Sequence, residues 1–240
     1  MTIENITQQL KSHPYQQVVH FDKAADKLLL LDFTEANKEL TAEIISDTKK
    51  FSDYISHKLH SANATLGIGG YNEHRTVYSR SRVFDATDPH EEPRRLHLGT
   101  DIWGTAGTPV FAPLDGVVHS FAFNDQYGDY GATIILYHQL NGSSFHTLYG
   151  HLSLKDLNGL TEGKQIKAGD RIAHFGEPQE NGHWPPHLHF QLIIDMEGKK
   201  GDYPGVCKFS EREKYLSNCP DPDLILQMNT SLRGTKQSVL

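Results

Sequence analysis

Two short apolar runs near the start of the chain, YQQVVHFD (15–22) and KLLLLDF (27–33), flank the polar DKAAD segment, and this pattern predicts a β-hairpin. Beyond Thr34, read as a helix cap, Leu40, Ile44, Ile45, Phe51, Ile55 and Leu59 recur every three to four positions, which predicts one amphipathic helix. From about Ala64 the pattern changes to short β-rich runs punctuated by glycine and proline: GTPVFAPLDGVVHSFAF, GATIILYHQL, SSFHTLYGHLSL, KQIKAGDRIAHFG and HLHFQLIID. Asn141-Gly142 lies between two of them, and both residues tolerate the positive φ of a tight primed turn, so TIILYHQL and SFHTLYGHL are predicted to be antiparallel neighbours. After Asp202, SEREKYL reads as a short helix, the prolines of CPDPDLILQM forbid a long element, and SLRGTKQSVL reads as a frayed tail. The division is a hairpin-plus-helix appendage over 1–65, a β-domain over 66–205 and an extension over 206–240.

Composition narrows the function classes. With 240 residues the chain can bury a substantial core, and no apolar run is long enough to cross a bilayer. A formal charge of -7 argues against a protein built to grip phosphate backbones, so nucleic acid is not an expected partner. The N-terminal text MTIENITQQLKSHPY has no basic start, apolar middle or small-residue cleavage site, so the expected location is the cytoplasm. Cys207 and Cys219 do not have the spacing of a zinc knuckle and read as reduced thiols. GLTEGKQ has one residue too few for a phosphate-binding loop, and GIGG (67–70) is too short for a dinucleotide fingerprint.

The chain holds 15 histidines, and a few of them fall into patterns with chemical meaning. In HLHF, residues i and i+2 of a strand share one face, so His187 and His189 stand side by side while Leu188 packs on the other. In HLGTD, His97 and Asp101 are interrupted by Gly99, which predicts an extended or looped segment whose two side chains can still converge on one ion. His151 ends the strand after the Asn-Gly turn; taken alone it reads as a surface histidine.

Taken together and in order, His97-x-x-x-Asp101, GTPVFAPLDGVV, TLYGHLS, KAGDRIAHFG and PHLHF resemble the lysostaphin-type (LytM-like) zinc metalloendopeptidases over about residues 95–195. The resemblance implies a mainly β fold, an antiparallel core of barrel-sandwich type with a catalytic groove across it. It implies one zinc ion per chain held by His97, Asp101 and His189, with His151 and His187 as the catalytic histidines. Which of those two is the general base is left open. The implied activity is hydrolysis of amide bonds in peptidoglycan-like or glycine- or D-residue-containing peptides. A zinc ion with two neutral ligands and one anionic ligand keeps an open position and can activate water near neutral pH. Two other readings stand beside it: an amidohydrolase acting on a small cytosolic substrate, and a non-catalytic binding module. By analogy with latent members of that family, Asn72 is a candidate to occupy the open metal position. The oligomeric state is not legible.

Overall fold

The computed structural model describes residues 3–88 and 90–229, so the segment read as a frayed tail lies outside the described residues. In chain order the strands are β1 (Leu28–Leu31), β2 (Leu66–Gly69), β3 (Leu96–His97), β4 (Thr100–Trp103), β5 (Pro109–Phe111) and β6 (Gly116–Asn124). They continue with β7 (Gly131–Leu140), β8 (Ser143–Leu152), β9 (Gln165–Ile166), β10 (Arg171–His174), β11 (His187–Ile193) and β12 (Val206–Cys207). The α-helices are α1 (Ile3–Ser12), α2 (Ala42–Ser46), α3 (Thr48–Ser61), α4 (Arg212–Leu216) and α5 (Asp223–Leu226).

The protein is mainly β. An 8-stranded sheet runs in the order β1-β2-β4-β11-β8-β7-β6-β9, with β10-β5 and β12-β3 as separate ribbons. Neighbours in the large sheet are antiparallel except at its β1 edge. The Asn-Gly turn joins β7 to β8 with Leu140 opposite Ser143, and Asn141 (φ 49°) and Gly142 (φ 79°) take the left-handed conformations that the turn requires.

The expected N-terminal hairpin is replaced by a crossover. The first apolar run forms no strand; β1 pairs in parallel with β2, from Leu28 opposite Leu66 to Leu31 opposite Gly69. A parallel pair needs a connection longer than a turn, and α2 and α3 supply it. The single helix predicted after Thr34 is also divided. Thr41 caps α2 by accepting from the Ile44 amide, and Asp47 caps α3 by accepting from the Lys49 and Lys50 amides. An Asp that bonds its own downstream amides favours a cap over a helix interior, which breaks the periodic run in two. SEREKYL supplies the short α4, and α5 is only 4 residues long.

Strand alternation sorts the core. Leu188, Phe190 and Leu192 of β11 enter the main cluster with Ile102, Ile134, Leu136 and Tyr149. Ile6 and Leu10 of α1, with Ile225, Leu226 and Met228, complete the same cluster. The other face of β4 and β11 carries polar groups, and Phe51 and Ile55 of α3 pack there with Trp103 and Trp184. The polar side of the sheet is therefore walled as well.

Candidate metal centre

Register brings the five singled-out residues together. β11 runs antiparallel between β4 and β8, with His187 opposite Trp103, and His189 opposite Asp101 on one side and Gly150 on the other. His187, His189 and Asp101 share the face turned away from the main core. His97 arrives from β3, held by its pairing with Val206.

His151 reaches that face by a different route. Tyr149, two residues earlier on β8, lies in the main core, so plain alternation would send His151 there too. Between the pairs Ala132–Leu152 and Ile134–Tyr149 the register shifts by a β-bulge, and His151 adopts φ 63°. The bulge turns the imidazole to the polar side. Gly150 leaves room for the Tyr130 ring beside the bulge, since a Cβ there would stand 2.5 Å from it.

His97 Nε2 lies 3.2 Å from Asp101 Oδ1 and 2.9 Å from His189 Nδ1, and His189 Nδ1 lies 3.1 Å from Asp101 Oδ1. Each group is fixed from behind. His97 Nδ1 faces the Gly70 carbonyl at 3.0 Å, an atom that only accepts, so the ring proton sits on Nδ1. His189 Nε2 faces Gln191 Oε1 at 2.8 Å, and Gln191 Nε2 donates to the Pro204 carbonyl at 3.1 Å, which sets the amide orientation and puts the proton of His189 on Nε2. Asp101 Oδ2 accepts from Arg75 Nη1 at 2.5 Å.

In these tautomers three lone-pair atoms point at one another. Burial, with Arg75 adding to it, pushes the His97 imidazole down to about 4, so it is neutral at physiological pH. Asp101, although buried, is held as a carboxylate by the Arg75 guanidinium 2.5 Å from its Oδ2. Mutual repulsion of acceptors is relieved by a cation among them. One carboxylate oxygen and two imidazole nitrogens, all buried, are a donor set that suits zinc, whose ligand bonds of about 2.0–2.2 Å place tetrahedral donors roughly 3.3 Å apart. The residues present fit the ion.

His151 and His187 stand beside this centre with their rings 4.1 Å apart. His151 Nδ1 donates to the Asn181 carbonyl and His187 Nδ1 to the Pro185 carbonyl, both at 2.7 Å, which leaves each Nε2 as an acceptor. His187 stacks on Trp103 at 3.9 Å. Burial lowers His187 to about 4, and burial, with His187 adding to it, holds His151 well below its ordinary value. A cleft of about 130 Å³ opens over the group, walled by Tyr78, Phe84, Trp184, Tyr203 and Val206.

Other polar and aromatic side chains stay outside the centre. Asn72, the candidate for the open position, accepts a 2.9 Å hydrogen bond from Arg212 Nε, which commits its side-chain oxygen elsewhere. Tyr149 is a fully buried packing residue against Phe190, and His183 stacks on Tyr127 outside the cleft. His138 is buried, bonded to the Asp115 carbonyl and the Thr147 hydroxyl. Cys207 and Cys219 are buried free thiols. Arg75, Gln191, Asn181 and Trp103 serve the site without having been singled out. Gln191 carried a signal, being the next same-face residue after His189; Arg75 carried none.

Comparison with known proteins places this geometry in context. Residues 95–202 match the sequence profile of Peptidase family M23. An uncharacterised metalloprotease of Haemophilus influenzae is 39% identical over 101 residues, 42% of this chain and 19% of that protein. Peptidoglycan DD-endopeptidase ShyA of Vibrio cholerae is 34% identical over 167 residues, 65% of this chain and 36% of that protein. The catalytic domain of lysostaphin from Staphylococcus simulans superposes with a TM-score of 0.36 at 25% identity, covering 51% of this chain and 81% of that one. The chain thus spans less than two fifths of the length of either curated relative.

Proposed function

We propose, on the match of residues 95–202 to the profile of Peptidase family M23, that the protein is a zinc-dependent endopeptidase that hydrolyses amide bonds in peptidoglycan-like peptides. The observation that carries this reading is the convergence of His97 Nε2, Asp101 Oδ1 and His189 Nδ1 within 3.2 Å of one another, each fixed from behind by a hydrogen bond. The named activity of the Vibrio relative supports the substrate class.

A zinc ion held by these three residues supplies Lewis acidity toward the scissile carbonyl and toward an attacking water. The remaining work falls to the chain's own groups. His151 and His187 are held as neutral acceptors with Nε2 bare, the state needed to take the proton of the attacking water and return it to the departing amine. The pair is rigid. Trp103 on one side and His151 on the other sandwich the His187 ring, so little orientation is left to be found when substrate arrives. The walls of Tyr78, Phe84 and Trp184 reduce water around the reacting groups, which strengthens each of these polar contacts. Among the described residues no helix is long and apolar enough to cross a membrane.

The reading is tested by digesting purified peptidoglycan and a panel of glycine-rich peptides with the zinc-loaded protein and assigning the products by mass spectrometry. Cleavage at a peptide amide is the expected result. Failure on every wall-derived substrate, with cleavage of a small amide, would move the assignment to an amidohydrolase of another substrate class.

A further inference from the structure

The Gly67–Gly70 run and Arg75 lie outside residues 95–202, yet they form the outer face of the metal centre. β2 lies beside β4 with Gly69 directly opposite Asp101. A Cβ on Gly69 would stand 2.6 Å from Arg75 Nη2, so the bare backbone there is what admits the guanidinium to the carboxylate. Arg75 is 1% exposed and divides its donors among four acceptors, the longest bond being the 3.4 Å one from Nη1 to the Tyr78 hydroxyl. Nη1 goes to Asp101 Oδ2 at 2.5 Å, Nε to Glu73 at 2.6 Å and Nη2 to the Gly70 carbonyl at 3.3 Å. The Phe33 ring lies 5.2 Å from the guanidinium. The Gly70 carbonyl also accepts from His97 Nδ1 at 3.0 Å. One backbone oxygen therefore ties the first proposed ligand to the arginine that holds the second.

We propose that Arg75 is a positioning residue of the metal centre, fixing Asp101 through Oδ2 so that Oδ1 alone is presented to the ion, with Gly69 as the gap that lets it do so. The inference rests on the zinc assignment above. A free carboxylate turns about its last bond and can chelate through both oxygens; one whose second oxygen is held by a planar, permanently charged guanidinium presents one donor in one direction. Charge works in the same sense. Asp101 and Glu73 against Arg75 leave one net negative charge, so a divalent ion keeps a net positive charge at the centre, which loss of the arginine would cancel.

The test measures zinc affinity by chelator competition and the visible absorption of the cobalt-substituted protein, using the full chain, for wild type, Arg75→Met, Arg75→Lys and Gly69→Ala. Loss of an outer hydrogen-bond partner of a metal ligand weakens binding about 10–100-fold, and that loss is expected for Arg75→Met with an altered cobalt band. Gly69→Ala, whose new methyl displaces the guanidinium tip, should move affinity and spectrum in the same direction. Arg75→Lys, which restores the charge without the fork, should fall between Arg75→Met and wild type. Should Arg75→Met fail to fold, Gly69→Ala carries the test. Wild-type affinity and an unchanged cobalt band in Gly69→Ala and Arg75→Met would overturn the positioning role while leaving the zinc assignment standing. Absence of zinc binding by the wild type would overturn both.

Discussion

Replacing Asp101 by Asn separates the metal centre from ordinary packing, because it should abolish zinc binding without harming the metal-free fold. In the metal-free wild type, Asp101 Oδ1 faces His97 Nε2 at 3.2 Å and His189 Nδ1 at 3.1 Å, acceptor against acceptor. An Asn whose oxygen stays with Arg75 turns its amide nitrogen, with two hydrogens, toward those same two atoms. Two new hydrogen bonds contribute about 0.5–1.5 kcal/mol each, and the Arg75 bond weakens by about 1 kcal/mol on losing its charged acceptor. The net change is about 0–2 kcal/mol in favour of the variant, and at about 2–4 °C per kcal/mol its metal-free melting temperature should lie between unchanged and about 8 °C above wild type. Zinc at about 100 times its Kd stabilises the wild type by about 2.7 kcal/mol, or roughly 5–11 °C, and should leave the variant unmoved. Thermal denaturation of both proteins with chelator and with zinc reads all four values. A metal-free variant melting well below the metal-free wild type, or one shifted by zinc as far as the wild type, would refute the picture of three unprotonated acceptors awaiting a cation.

Three further outcomes follow from single contacts. Gly182 adopts φ 82° with its would-be Cβ 1.8 Å from the Asp129 carbonyl, beside the Asn181 carbonyl that holds His151; Gly182→Ala should lower kcat by about 100-fold with zinc affinity retained, read by steady-state kinetics and chelator competition. His138, pushed by burial from 6.5 to about 4, takes up a proton on unfolding, so its contribution to stability is intact above pH 6.5 and lost as pH falls toward 4. Urea denaturation at pH 7 and pH 5 should therefore show His138→Gln losing about 2 kcal/mol less than wild type over that interval. Asn72→Ala should give no gain in activity on any substrate, since the Asn72 side-chain oxygen is bonded to Arg212.

What the sequence revealed depended on the range of the interaction. The shared face of His187 and His189 follows from the period of one strand, and the β7–β8 turn from one dipeptide. The parallel β1–β2 pair did not emerge, because local pattern favours joining adjacent apolar runs while the true partner lies beyond two helices. The orientation of His151 depends on a bulge set by the neighbouring strand, and the contact of Arg75 with Asp101 depends on a cross-strand register that no local spacing encodes. GIGG was dismissed as a nucleotide fingerprint; its glycines instead clear space beside Trp103 and Arg75, a role visible only once β2 is laid against β4.

The central claim is that His97, Asp101 and His189 hold a zinc ion on which His151 and His187 act against an amide. The most direct single measurement is zinc content and peptidoglycan cleavage determined on the same samples of wild type and His187→Ala. The expected result is one zinc per chain in both proteins, with new amine termini released only by the wild type. Wild type without stoichiometric zinc, or His187→Ala cleaving at the wild-type rate, would contradict it.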